Sequence, residues 1–315
     1  MANPLAISTR NLTKQFEGHL AVNHVNLQIV SGEIYGLIGP NGAGKTTLIR
    51  MLSTAEEPTT GEIQVNGHTL VRGQANPELK RQLGLLPDDF PLYEDLSVWD
   101  YLDYFARLYY LSDPILTQRL KAVLELVSLQ NKRNSLIGSL SRGMKQRLSL
   151  ARSIIHTPSI LLLDEPVSGL DPIARAQFKD IIRGLQRQGM TILISSHILS
   201  DLAEFCTSIG IMELGRLVES APLQELYNRL SQEQIIITSL NGPDTIQAHL
   251  KNYPRVDNCE ILPDRRVRIN FSGSLEEVAA LLRSLVEAGI PITDFTRTHE
   301  SLEAIFLKMG HQQTS

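Results

Sequence analysis

Cysteine is almost missing from the 315 residues: Cys206 and Cys259 are the only two, far apart and outside any metal-ligand or redox spacing. That excludes a disulfide framework or a thiolate metal centre and leaves two small packing residues. Long apolar runs are missing as well. A membrane-spanning helix needs roughly 18 uninterrupted apolar residues, whereas the best run here, Ile160 to Leu163, is stopped by Asp164 and Glu165. The opening MANPLAISTR has no apolar signal-peptide core. The expectation is a cytoplasmic chain whose membrane role, if it has one, comes through a partner. An excess of positive charge is the third absence. The net charge is -4, the isoelectric point is near 6.1, and Lys and Arg are scattered rather than clustered, so no nucleic-acid partner is expected.

What is present is ordinary globular material. Hydrophobic residues make up 42% and charged residues 20%, which excludes a disordered or fibrous chain, and the length predicts one core of usual size with a smaller second domain. Two half-buried strands are predicted at Leu5 to Leu12 and Val22 to Val30 from their alternation, the second ending at a Ser31-Gly32 turn. Glu33 to Gly39 then reads as a mostly apolar strand entering a glycine-rich loop, with a helix from Lys45.

Between residues 96 and 150 the spacing turns helical. One stripe carries Trp99, Leu102, Phe105, Ala106 and Leu108, and another carries Leu116, Leu120, Val123, Leu124 and Val127. Strands resume at Ile160 to Asp164, Thr191 to Ser195 and Ile209 to Glu213 with helices between, the rhythm of a parallel sheet. These elements define a first domain over 1–221 with a helical subdomain at about 96–150, and a smaller α+β domain over 222–315. The latter reads as strand, helix, two strands, helix and strand, the βαββαβ order of a ferredoxin-like unit, with a tail helix from Glu300 to Met309.

Gly39-Pro40-Asn41-Gly42-Ala43-Gly44-Lys45-Thr46, followed by Thr47, matches the phosphate-binding loop and stands where one must, between a strand and a helix. Glycines let backbone N–H groups curl toward phosphates, and the helix N-terminus adds partial positive charge. Lys45 would reach the β- and γ-phosphates, and the Thr46 hydroxyl would ligate Mg²⁺. A dinucleotide fingerprint is excluded because Thr47 stands where its last glycine belongs. Ile160 to Glu165 is a buried-strand run ending in two carboxylates, which at the carboxyl end of a parallel strand face the ligand crevice. Asp164 fits an Mg²⁺ anchor and Glu165 the base for an attacking water.

With these placed, residues 5–221 resemble the ATP-binding subunits of ABC transporters. Leu140 to Arg147 is similar to that family's signature motif, Ser168-Gly169-Leu170-Asp171 to its D-loop, and His197 to its switch histidine. The resemblance implies a P-loop NTPase fold: a RecA-like parallel sheet core, an N-terminal antiparallel subdomain and a helical insertion. It also implies Phe16 stacking on adenine, and Ser141 and Gly143 acting on ATP held by a second subunit, so that a homodimer, or a heterodimer with a similar subunit, hydrolyses ATP. The implied partner is a separately encoded membrane permease, placing the chain peripherally at the cytoplasmic face. The tail segment Glu300 to Leu307 resembles the extension of subunits paired with ABC-2-type exporter permeases, which favours export.

This sequence departs from the family at three positions. Arg142 and Met144 stand where the commonest signature has glycine and glutamine, and Asp88 follows Pro87 where the family has glutamine. Glutamine offers a donor and an acceptor without charge, whereas an ionised Asp only accepts. Asp88 is therefore expected to face the permease rather than the metal. The rival reading is a non-transport ABC ATPase, a class that carries two cassettes or a long coiled coil, and neither is present. A module that holds ATP without cleaving it is argued against by Glu165.

Overall fold

A computed structural model describes residues 4–71, 73, 76–89, 91–230, 233–251 and 253–299. The chain divides into two compact units, Met1–Gln224 and Glu225–Ser315.

The first unit contains two sheets. An antiparallel one is built from β1 (Leu5–Phe16), β2 (His19–Val25), β3 (Gln28–Val30), β5 (Thr60–Val65) and β6 (His68–Thr69), with β1 at its centre. The other has six strands in the order β11-β10-β4-β9-β8-β7. These are β4 (Ile34–Ile38), β7 (Leu83–Leu86), β8 (Ile160–Leu163), β9 (Thr191–Ser196), β10 (Ser208–Glu213) and β11 (Arg216–Pro222), all parallel except β11. Every residue of β4, β8 and β9 is buried. The continuous apolar sequence follows, because helices cover both faces of a parallel sheet and leave no polar side.

Helix α1 (Lys45–Leu52) follows β4, and α2 (Pro77–Arg81) precedes β7. Helices α3 (Val98–Leu108), α4 (Ile115–Leu126) and α5 (Arg142–Ile154) form the insertion between β7 and β8. Then α6 (Pro172–Arg187) and α7 (Leu199–Ala203) alternate with β8, β9 and β10. Four of these helices start where capping chemistry dictates, α2 among them with Asn76 accepting from Leu79 N–H and Pro77 in the first turn. Ser97 caps α3 through Asp100, Ser141 caps α5 through Met144, and Asp171 caps α6 through Ile173 and Ala174, with Pro172 in the first turn.

Helix α8 (Leu223–Leu230) leads to the second unit, which has the order β12 (Glu233–Ser239), α9 (Pro243–Leu250), β13 (Val256–Ile261), β14 (Val267–Phe271), α10 (Leu275–Glu287), β15 (Ile292–His299). Its sheet is fully antiparallel in the order β13-β14-β12-β15, the ferredoxin-like arrangement expected. Ile235, Ile237, Val267, Ile269 and Phe271 alternate inward and meet Ile246, Leu250, Leu281 and Leu285 of the two helices. A full capping box, Ser274 with Glu277, starts α10.

Several expectations need correction. The first strand does not stop at Leu12 but continues to Phe16, pairing antiparallel with β2 up to Phe16 against His19. The second splits at Asn26-Leu27 into β2 and β3. Strands β5, β6, β7 and β11 add to those expected from the pattern. In α3, Leu108 is 56% exposed, and Tyr101 takes a core position instead. The α4 stripe is buried throughout. The expected tail helix from Glu300 to Met309 lies outside the described residues. Both cysteines are free, with Cys206 buried and Cys259 half-buried.

Candidate functional site

Strand order decides which motifs meet. In the parallel sheet β9 lies between β4 and β8, with Ile38 level with Ser196 and Leu163 level with Ile194, and β7 flanks β8 with Leu86 level with Leu163. The glycine-rich loop after β4, the histidine after β9, the carboxylates after β8 and Asp88 after β7 therefore leave one edge of the sheet side by side. This is the carboxyl edge, where open parallel sheets bind ligands.

The loop's glycines are set by close approach and by backbone conformation. A Cβ on Gly39 would lie 2.3 Å from the Met212 carbonyl oxygen, and one on Gly44, at φ 99°, would lie 2.3 Å from that of Ala21. No L side chain fits either site without moving backbone. Ala21 belongs to β2, so the hairpin ending at Phe16 and His19 packs against the loop. Phe16 is 42% exposed, with the Lys14 ammonium 4.7 Å from its ring centroid. It is not a core phenylalanine. Thr46 in the first turn of α1 is exposed, as are Pro40, Asn41 and Gly42; Thr47 is half-buried and Ala43 buried.

Lys45 is 5% exposed. Its Nζ donates to the carbonyl oxygens of Gly39 (2.8 Å) and Pro40 (3.2 Å) and lies 3.3 Å from Glu165 Oε1. That Oε1 is buried and accepts no hydrogen bond, so it meets Lys45 by charge alone. The other carboxylate oxygen, Oε2, lies 2.9 Å from His197 Nδ1. With Nδ1–H donating, the neutral ring keeps Nε2 as an acceptor, so a donation from Nε2 to a phosphate requires the other tautomer or the imidazolium. Glu165 also has φ 46°, a left-handed conformation that a Glu adopts at a cost of about 1–3 kcal/mol. Its backbone N–H donates to Ser195 Oγ (3.0 Å), and Ser195 in turn donates to Asp164 Oδ1 (2.7 Å).

Ser195 thus ties the Asp164 carboxylate and the Glu165 backbone to β9. Motif resemblance points only to its neighbour His197. The signal for Ser195 is a hydroxyl ending the otherwise apolar run Ile192 to Ile194, and the structure buries it fully.

Asp88 is exposed. Its carboxyl is held above the usual carboxylate range, first by partial burial and then by the charges of Asp164, Glu165 and Asp89, against the opposing pull of Arg142. It therefore sits within the field of the paired carboxylates Asp164 and Glu165. Ser141 and Gly143 are not brought into contact with this glycine loop. Ser141 Oγ caps its own helix, and a Cβ on Gly143 would meet Ala174 Cβ at 2.7 Å. Asp171 Oδ1 likewise caps α6, accepting from Ile173 (3.0 Å) and Ala174 (2.9 Å).

Among the described residues no cluster of three or more His, Cys, Asp or Glu is placed to hold a metal. Asp164, 2% exposed with Oδ1 taken by Ser195, and the exposed Thr46 each offer oxygen donors only. That suits Mg²⁺, an oxygen-seeking ion usually held by one or two protein groups plus substrate phosphates and water.

Comparison with known proteins identifies the family. Residues 22–168 match the family model described as ABC transporter. The chain is similar to the bacitracin transport ATP-binding protein BcrA of Bacillus licheniformis, 33% identical over 304 residues that cover 96% of each chain. It is also similar to the daunorubicin resistance ATP-binding protein DrrA3 of Streptomyces coeruleorubidus, 32% identical over 305 residues that cover 96% of this chain and 95% of the other. A solved ATP-binding subunit of an ABC transporter superposes with TM-score 0.63 at 30% identity, covering 71% of this chain and 92% of its own. With near-complete coverage of such relatives and a phosphate loop, paired carboxylates and histidine on one sheet edge, the chain belongs to the ABC transporter family as an ATP-binding, ATP-hydrolysing subunit.

Proposed function

We propose that this subunit powers a separately encoded membrane exporter, working as a dimer at the cytoplasmic face of the membrane. The observation that carries the catalytic part is the position of the Glu165 carboxylate between the Lys45 ammonium and the His197 ring.

In this reading the loop Gly39 to Thr47 holds the phosphates of ATP, and Phe16 offers its open face to adenine. Lys45 exchanges its contacts to Glu165 and the loop carbonyls for the β- and γ-phosphate oxygens. That releases Glu165 Oε1 to take a proton from the attacking water as its oxygen bonds to the γ-phosphorus and the bond to ADP breaks. Thr46 and Asp164 would hold Mg²⁺, which supplies charge neutralisation on the phosphates. Ser141 and Gly143, occupied within their own helix and away from this loop, act on the nucleotide of a second subunit, and Asp171 lies in the loop at that junction.

The permease is proposed to dock on the helical insertion and the Asp88 loop. Asp88 is assigned to that interface because a third carboxylate beside Asp164 and Glu165 is repelled there. Export is favoured by relatives named for bacitracin transport and daunorubicin resistance. No helix among the described residues is long and apolar enough to cross a membrane, so the translocation path is assigned to the partner.

The test is purification from native membranes in mild detergent. A multi-span membrane protein should co-purify, and Mg²⁺-ATP hydrolysis by the complex should exceed that of the subunit alone. An active subunit recovered without any membrane partner would favour the non-transport alternative. Asp88→Ala should lose activity only in the assembled complex; an equal loss in the isolated subunit would return Asp88 to the metal site.

A further inference from the structure

The segment Ser168 to Asp171 is gripped from both ends by guanidinium groups with no counterpart in the chemistry above. Arg142, the first residue of α5, donates from Nη2 to the Ser168 carbonyl oxygen at 3.1 Å. Its guanidinium also lies against Gly169: a Cβ there, at φ 65°, would fall 2.5 to 2.7 Å from three guanidinium atoms. Glycine is favoured at that position by its left-handed conformation, while the guanidinium, the end of a flexible side chain, uses the space left open beside it. Ser168 N–H donates to the Glu165 carbonyl oxygen at 3.1 Å, so the residue whose carbonyl Arg142 grips also closes, through its N–H, the turn that begins at the catalytic base.

At the other end, Arg175 on α6 donates from Nη2 to the Leu170 carbonyl oxygen at 3.4 Å and from Nη1 to Asp201 Oδ1 at 2.8 Å. The Asp201 side chain is only 5% exposed. It stands on α7, the short helix entered directly after His197 through Ile198, whose N–H is held by Ser196 Oγ. A buried carboxylate stripped of its guanidinium is strongly unfavourable, which fixes the geometry of this end more firmly than that of the exposed Arg142 end.

We propose that Arg142 and Arg175 are positioning residues that brace the loop between Glu165 and Asp171, linking the signature turn on one side to the His197 segment on the other. Neither touches the phosphate loop in the structure. Their role is to hold the base and the histidine in one register while the signature helix moves with it. Loss of either arm frees the same loop. Small misplacements of a catalytic group are costly, up to about 10²-fold per ångström, so the effect belongs in turnover rather than in ATP affinity.

The experiment uses the full chain. Arg142→Ala and Arg175→Ala should each lower kcat at least about tenfold with KM for ATP unchanged within about threefold, and the double variant should be little worse than the poorer single one. Independent structural contributions would instead multiply; multiplicative losses, wild-type kcat, or losses carried by KM would overturn the proposal. Should Arg175→Ala not fold, Arg175→Lys serves. Its single ammonium can keep the Asp201 ion pair but not the forked contact to Leu170, so it should fold yet lose kcat, and wild-type kcat in that variant counts against the brace.

The signature role of Arg142 rests on the dimer reading, and a further measurement separates the two. In a Glu165→Gln background, adding Arg142→Ala should leave the ATP-driven dimer undiminished. A weaker dimer would assign Arg142 to the partner's nucleotide and overturn the brace. If Glu165→Gln alone forms no dimer, the dimer reading fails, while the kcat comparison of single and double variants still decides the brace.

Discussion

The two units spend their polar residues differently. Among the described residues every buried charged side chain lies in the first unit: Lys45, Arg147, Asp164, Lys179 and Asp201. Among its described residues the second unit buries one polar side chain, the uncharged Gln234, and otherwise fills its interior mainly with Ile, Leu, Val and Phe. Buried charge is expensive and is kept where it is paired or used, so the contrast locates the chemistry in the first unit. There Lys45, Glu165 and His197 form a chain of opposite and hydrogen-bonded groups, whereas the second unit carries its ion pairs, such as Arg255 with Glu277 and Arg268 with Glu260, on the surface. Such exposed pairs contribute little to stability.

That contrast can be broken most directly at Glu165. Glu165→Gln should lower kcat by at least about 10²-fold while ATP still binds, because an amide cannot take the proton of the attacking water. Near-normal turnover would mean another group is the base. Lys45→Ala should act on binding instead. Loss of a charge-assisted contact to phosphate should weaken ATP affinity by roughly 10- to 100-fold, read as nucleotide affinity by titration. Unchanged affinity would leave Lys45 a structural cation for Glu165.

From the other side, Leu281→Ala should cost about 2–5 kcal/mol of stability in the second unit by opening a cavity between α10 and its sheet. It should leave kcat and KM of ATP hydrolysis within about twofold. A chain ending at Pro222 should likewise stay active, and a folded truncation without hydrolysis would end the division of labour.

The smallest effect concerns Asp88, whose carboxyl is raised by partial burial and by Asp164, Glu165 and Asp89. Its folded-state pKa lies above the unfolded value, so the folded chain holds the proton longer and loses stability as pH rises through that window. Asp88→Asn should therefore melt slightly higher than wild type at neutral pH, and the gap should close as pH falls to the ordinary carboxylate range. A gap independent of pH would show that charge is not the cause.

Much of the fold is legible in the order of residues. Parallel strands covered on both faces read as apolar runs, so β4, β8 and β9 stand out, and helix starts announce themselves through Ser141, Asp171 with Pro172, and Ser274 with Glu277. The exposed two-residue β6 carries no such pattern, and the four-residue apolar run of β7 reads equally as strand or helix by periodicity alone. Leu108 falls outside the buried face of α3 because helical spacing defines a stripe but not its edges.

The sequence by itself determined the chemical vocabulary: a glycine-rich loop between a strand and a helix, a lysine, two carboxylates at the end of one apolar strand, and a histidine at the end of another. Those are local matters of backbone freedom and side-chain type. Only the tertiary structure decided that β9 lies between β4 and β8, which brings Lys45, Glu165 and His197 into contact, places Ser195 against the Asp164 carboxylate and the Glu165 backbone N–H, and sets Arg142 and Arg175 on the Ser168 to Asp171 loop. Strand order is fixed by long-range packing among residues far apart in the chain, and no local periodicity encodes it.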